Sequence, residues 1–254
     1  MDAVVVGTDA WIVAALLGLA MIVAWGVGWR TGRAMRRAGR QPPESKLDDA
    51  ALALLGLLIA FTFSIALNKF DLRRERMVAD SNAIGDFYTS ASLVPDPVRS
   101  KLQDAIRDYT RLRLQVAMGG WGPELEHALP RFEQMQGRMT ELVGEALTAH
   151  TAIPETLTQT LNAVSSMHAS RLVAIRDHLP GSIVVLLLLA ATLTSGLVGR
   201  LQGLSQRPSL AGTTSFVAIV VLTIYITLDL NQPAKGLIRV NQEPMQRLLN
   251  SMTR

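Results

Sequence analysis

Residues 50–67 read AALALLGLLIAFTFSIAL, eighteen positions without a charge, and run on directly into Asn68-Lys69-Phe70-Asp71-Leu72-Arg73-Arg74-Glu75. At the rise of an α-helix such a run matches a hydrocarbon slab about 30 Å thick. Outward from it, residues 10–29, 182–198 and 212–228 are equally free of charge and of similar length. Four apolar runs, two on each side of a long charged middle, predict an integral membrane protein in contact with the lipid bilayer. The expected fold class is all-α: four transmembrane helices, with a helical non-membrane layer inserted between the second and third spans. The expected divisions are 1–68 for the first two spans and their loop, 69–179 for a helical extramembrane domain, 180–231 for the last two spans, and 232–254 for a C-terminal tail.

The net charge of +4 is not spread evenly. Residues 69–179 carry 13 Lys/Arg against 14 Asp/Glu, so the middle is nearly neutral, and the basic excess sits in 30–46, 200–207 and the tail. That distribution argues against nucleic acid as a partner. It also orients the chain, because Arg30, Arg33, Arg36, Arg37, Arg40 and Lys46 share a short loop, where positive charge marks the cytoplasmic side. The loop with Arg200 and Arg207 falls on the same side, which places 69–179 outside the cytoplasm; Lys69, Arg73, Arg74 and Arg76 pull the other way but begin a long segment. The first run lacks a positively charged leader and is followed by arginines, so it reads as an uncleaved span. The chain has no cysteine, hence no disulfide framework, no thiol catalysis and no Cys-ligated metal.

Within the middle, no proline falls between Leu72 and Leu93, so the second span is expected to continue as one long helix to Pro95-Asp96-Pro97. A helix from about Asp96 carries Leu102, Ile106, Tyr109, Leu112 and Val116 at three- and four-residue steps, which gives one buried stripe. Gly119-Gly120-Trp121-Gly122-Pro123 reads as a turn. The next helix, about 123–149, has Met135, Met139, Leu142 and Ala146 as its stripe, with Pro130 as a kink or a fresh start. A last helix from Pro154 carries Leu157, Leu161, Val164 and Ile175 and leads through Pro180-Gly181 into the third span. Arg40-Gln41-Pro42-Pro43 is the one linker-like stretch.

Catalytic signatures are missing: no phosphate-binding loop, dinucleotide fingerprint, His-Glu-x-x-His or Gly-x-Ser-x-Gly. His127, His150, His168 and His178 are scattered. His168 shares a face with Leu161, Val164 and Ile175, where a hydrogen-bonded interior histidine outweighs a ligand or proton-transfer group. Asp104 and Asp108 have Lys101, Arg107 and Arg111 nearby, the ordinary charge pairing of a helix surface. No enzyme, cofactor or metal is implied.

The second span carries more information. Gly56 and Ala60, four apart, form a small-x-x-x-small pair that lets helices approach closely. A pore-lining helix is the sharper reading, its apolar ring gating by dewetting and charges at its mouth (Lys69, Asp71, Arg73, Arg74, Glu75) favouring anions. The rival is a membrane-anchored sensor or scaffold, whose helical layer binds a ligand or partner and whose spans only hold it.

The phrase from Leu57 to Glu75, followed by Ser81-Asn82-Ala83-Ile84-Gly85, resembles the opening signature of the bacterial bestrophin-like domain family. The ending from Leu228 through Asp229, Pro233, Gly236 and Arg239 to Pro244 is similar to that family's second signature. With the matching order of spans, the resemblance covers nearly the whole chain and implies a four-span protein of a bacterial inner membrane. Bestrophins proper are pentameric, mostly anion-selective channels whose second membrane helix lines an apolar neck. Carried over, that neck would place Ile59, Phe63 and Leu67 inward in a homo-oligomer passing small ions. Leu72-Arg73-Arg74-Glu75 only partly echoes the Arg-aromatic-aromatic-Glu of bestrophins, and the charge distribution places 69–179 on the opposite side of the membrane from theirs.

Overall fold

Apolar periodicity accounts for the helices found in a computed structural model that describes residues 8–39, 46–119, 123–148, 152–205, 209–233 and 236–253, the side chains of 46, 47, 123 and 124 excepted. These residues form eight α-helices and no strand: α1 (Ala10–Arg37), α2 (Lys46–Ala91), α3 (Val98–Gly119), α4 (Pro123–Thr148), α5 (Pro154–Arg176), α6 (Gly181–Leu204), α7 (Leu210–Leu230) and α8 (Glu243–Met252). They divide into two compact units, one of residues 1–68 and 178–232, the other of 69–177 and 233–254. The expected turn at 120–122, His150 and the Arg40–Pro43 linker lie outside the described residues.

The first unit holds four helices long and apolar enough to cross a membrane, and the chain is a multi-pass membrane protein. Its outward surface is apolar, with Leu57, Phe61, Leu189, Leu193 and Ile219 exposed, because lipid is the solvent there and backbone polar groups are satisfied inside each helix. Where no water drives helices together, packing depends on close approach. α1 lies on α6 and α7, and the α1–α6 contact is made through glycine. A Cβ on Gly28 would fall 2.0 Å from Gly196 O, one on Gly32 2.2 Å from Arg200 O, and one on Gly199 2.1 Å from Trp25 O. Polar side chains lock this seam: Ser195 Oγ donates to Met21 O at 2.8 Å, and Trp25 Nε1 and Thr213 Oγ1 both donate to Gln202 Oε1. At its basic end Arg200 pairs with the buried Asp48 at 3.1 Å.

The second unit has a conventional core. The expected stripes of α3, α4 and α5 are buried, from Leu102 to Val116, Met139 to Ala146 and Leu157 to Ile175, and Met135 is partly buried against them. α2 adds Ile84, Phe87 and Ala91. Pro130 sits inside α4 without ending it. The tail is part of this core: Met245 and Met252 of α8 are buried in it, Tyr88 Oη donates to Met252 O at 3.3 Å, and a Cβ on Gly85 would meet Leu248 at 3.2 Å.

Candidate functional site

The second span was the part of the sequence that pointed to function. Of the four apolar windows it is the least buried within the chain, 17% against 33% for the third span. Its one buried line is Leu55, Thr62 and Ala66, a seven- and four-residue spacing that keeps one face of a helix against its neighbours. Thr62 bonds back to Leu58 O and Ile59 O, so its hydroxyl is satisfied without a partner helix. Ile59 and Phe63 are half-buried and Leu67 is exposed. Gly56, Ala60 and Ser64 are exposed as well, and a Cβ on Gly56 would meet nothing within 4 Å. The close helix approach inside the chain is therefore at Gly28, Gly32 and Gly199, and the Gly56–Ala60 pair faces away from its own chain.

The five mouth charges separate. Lys69 pairs with Asp177 at 2.5 Å. Arg73 is buried and donates to Ala174 O at 3.1 Å, in the last turn of α5, and to Asp177 O at 2.8 Å, just past its end; burial lowers its pKa, and Asp177 opposes the shift. Asp71, Arg74 and Glu75 are exposed. Asp177 thus joins this group, and the positive excess among Lys69, Asp71, Arg73, Arg74, Glu75, Arg76 and Asp177 is a single charge.

A polar centre that sequence reasoning missed lies in the second unit. Asp80 of α2, fully buried, accepts from Arg113 of α3 and, at 2.7 Å, from Arg171 of α5, whose Nη2 donates to Gln242 at 3.0 Å. Burial alone would raise the Asp80 pKa, but the two guanidinium groups prevail and hold it below the usual carboxylate range. Burial, and next the charge of Arg113, bring Arg171 down to about 10. Arg113 also lies over the rings of Phe132 and Tyr109, 5.3 and 5.8 Å from their centroids, so part of its charge is met by aromatic faces.

His168 completes the cluster. Arg113 Nη1 lies 2.7 Å from its Nδ1 and Tyr109 Oη 3.2 Å from the same nitrogen. A guanidinium has no lone pair to offer, so Nδ1 is the acceptor and the ring proton is on Nε2. Burial, then Arg113, lower the pKa of His168 to about 4, because protonating Nδ1 would bring a second cation against the first. The expected hydrogen-bonded interior histidine is what the structure shows. Asp104 and Asp108 pair with Arg107 and Arg111, each at 2.6 Å. The signal for the missed centre is that Asp80, Arg113 and Arg171 each occupy a place on a largely apolar stripe, with Met77 and Ile84, Tyr109 and Val116, and Val164 and Ile175.

The signature residues fall in both units. Asp229 is buried in the first; in the second, Asn82 is exposed, Gly85 meets α8, and Gly236 accepts from Arg239 Nε at 3.0 Å. The sequence model of a family described as Bestrophin-like domain matches residues 50–245, from the start of the second span to the start of α8. No curated protein and no solved structure matches the chain.

Proposed function

This chain belongs to the bestrophin-like family, and on that premise we propose that it forms an oligomeric channel for small anions in a bacterial inner membrane, lined by the second span. The observation that carries the reading is the free face of that span. Leu55, Thr62 and Ala66 bind it to its own chain, while Gly56, Ala60 and Ser64 lie exposed with space for another backbone. At about 100° per residue, Phe63 lies about 80° from the buried line and Ala60 a further ~60° round. In a ring of copies, such a helix meets its own chain on one side and its neighbour on the other, and turns Ile59, Phe63 and Leu67 toward the axis. The constriction is then apolar and gates by dewetting, and the single positive excess beside it favours anions. By analogy with bestrophins the ring has five copies. The basic loop between the first two spans faces the cytoplasm in this reading, which puts 69–179 outside it.

Recording from purified protein in planar bilayers tests the channel. Phe63→Ala widens and wets the constriction, so basal current should rise above wild type, with a reversal potential that follows the chloride gradient. Equal and negligible currents from both proteins, each folded and oligomeric, would overturn the reading in favour of a sensor or scaffold.

A further inference from the structure

We propose that a cavity in the second unit, walled by Arg73 of α2, Arg171 of α5 and Arg239 of the segment before α8, binds a small organic acid: a carboxylate on a short apolar body. The cavity holds about 150 Å³, several times the roughly 30 Å³ that one water takes up in the liquid. Three arginines and Gln242 make its polar wall, and among the described residues lining it there is no carboxylate. Guanidinium groups present paired N–H donors at the spacing of a carboxylate's oxygens. Two of them are oriented in advance: Arg171 is held by Asp80 and Gln242, and Arg73 by the end carbonyls of α5, so little ordering remains for the ligand to impose.

The rest of the wall selects the ligand's body and charge. Six of the ten described lining residues are apolar, Met77 and Ile175 among them, and an inorganic anion would leave that surface wet. A phosphate dianion would also carry more charge into a half-apolar cavity than a carboxylate does, at a larger desolvation penalty. The site is distinct from the membrane path, and its occupancy does not depend on whether the spans conduct.

The test uses the full-length protein in detergent, titrated calorimetrically with pentanoate, pentanamide and inorganic phosphate. Arg239 is exposed, with its Nε on the Gly236 carbonyl, and in Arg239→Gln the side-chain amide keeps a donor for that carbonyl, so its unliganded unfolding temperature should stay close to wild type. Pentanoate should bind wild type, Arg239→Gln should bind it about tenfold more weakly, as expected for one charge-assisted contact, and Arg239→Lys should fall between. Pentanamide should not bind. Failure of pentanoate to bind folded wild type, equal affinity in Arg239→Gln, or equal binding of pentanamide would overturn the site. Phosphate binding as tightly as pentanoate would overturn the organic acid as its ligand.

Discussion

The two units solve one packing problem by opposite means. In the membrane unit, α1 and α6 touch backbone to backbone at Gly28, Gly32 and Gly199, and large apolar side chains face outward. In the other unit large apolar side chains face inward, and at their centre is an ionic cluster of Asp80, Arg113 and Arg171 with none of its side chains more than 3% exposed. Lipid gives apolar side chains no reason to turn inward, so contact area must come from close approach. The second unit's apolar side chains do turn inward, as they do where water is the solvent, and charge is accommodated in its core with Arg113 and Arg171 sharing Asp80.

The largest effect should come from breaking that partnership. Asp80→Ala leaves Arg113 and Arg171 facing each other, and losing one member of a buried ion pair costs about 3–5 kcal/mol. Hydrogen exchange read by mass spectrometry should show amides of α3 and α5 losing protection while α1 and α6 keep theirs. Loss of protection in both units alike would mean that they do not fail independently.

Next in size is the glycine seam. The atoms facing Gly28 and Gly199 are backbone and cannot swing aside, so Gly28→Ala or Gly199→Ala forces α1 and α6 apart, at about 1–3 kcal/mol or more. Thermal unfolding in detergent should begin lower for both variants. An unchanged transition would show that the seam is not what holds α1.

A further effect is set by pH. His168 titrates at about 4 in the folded chain and near 6.5 when unfolded, so the unfolded chain takes up the proton first. Its contribution is complete above pH 6.5 and is lost as the pH falls toward 4. The groups facing it are Arg113 and Tyr109 of α3, Phe132 of α4, Asp80 of α2 and Arg171 of its own helix. Denaturant midpoints should decline over that window in wild type and stay flatter in His168→Gln, whose amide oxygen still accepts from Arg113.

Much of this was legible in the sequence and some was not, for a physical reason. Spans and stripes repeat, so α3's Leu102–Val116 and α5's Leu157–Ile175 announce their buried faces. Asp80, Arg113 and Arg171 are single charges on three distant stripes, and nothing local says that they meet. The Gly56–Ala60 spacing reads as a close-packing pattern, yet Gly28 with Gly32 on α1 and Gly199 with Gly203 on α6 carry the same spacing, and it is the latter that meet backbone within the chain; the pattern alone cannot say which pair its own chain uses. The docking of α8 through Met245 and Met252 was hidden in a tail too short to show a period.

The smallest effect in the isolated chain belongs to Gly56. Gly56→Ala meets open space and should raise helix stability by about 0.5–1 kcal/mol, whereas Gly56→Leu should leave the protomer folded and reduce its oligomer, as seen by light scattering in detergent.

The claim that this free face belongs to a conducting ring is tested most directly through the absence of cysteine. A single cysteine placed as Phe63→Cys or as Phe61→Cys, about 160° away on the helix, is exposed to a charged, water-soluble thiol reagent during bilayer recording. The account predicts that current through Phe63→Cys is blocked and that through Phe61→Cys, on the lipid side, is untouched. Block at Phe61→Cys with none at Phe63→Cys would contradict it.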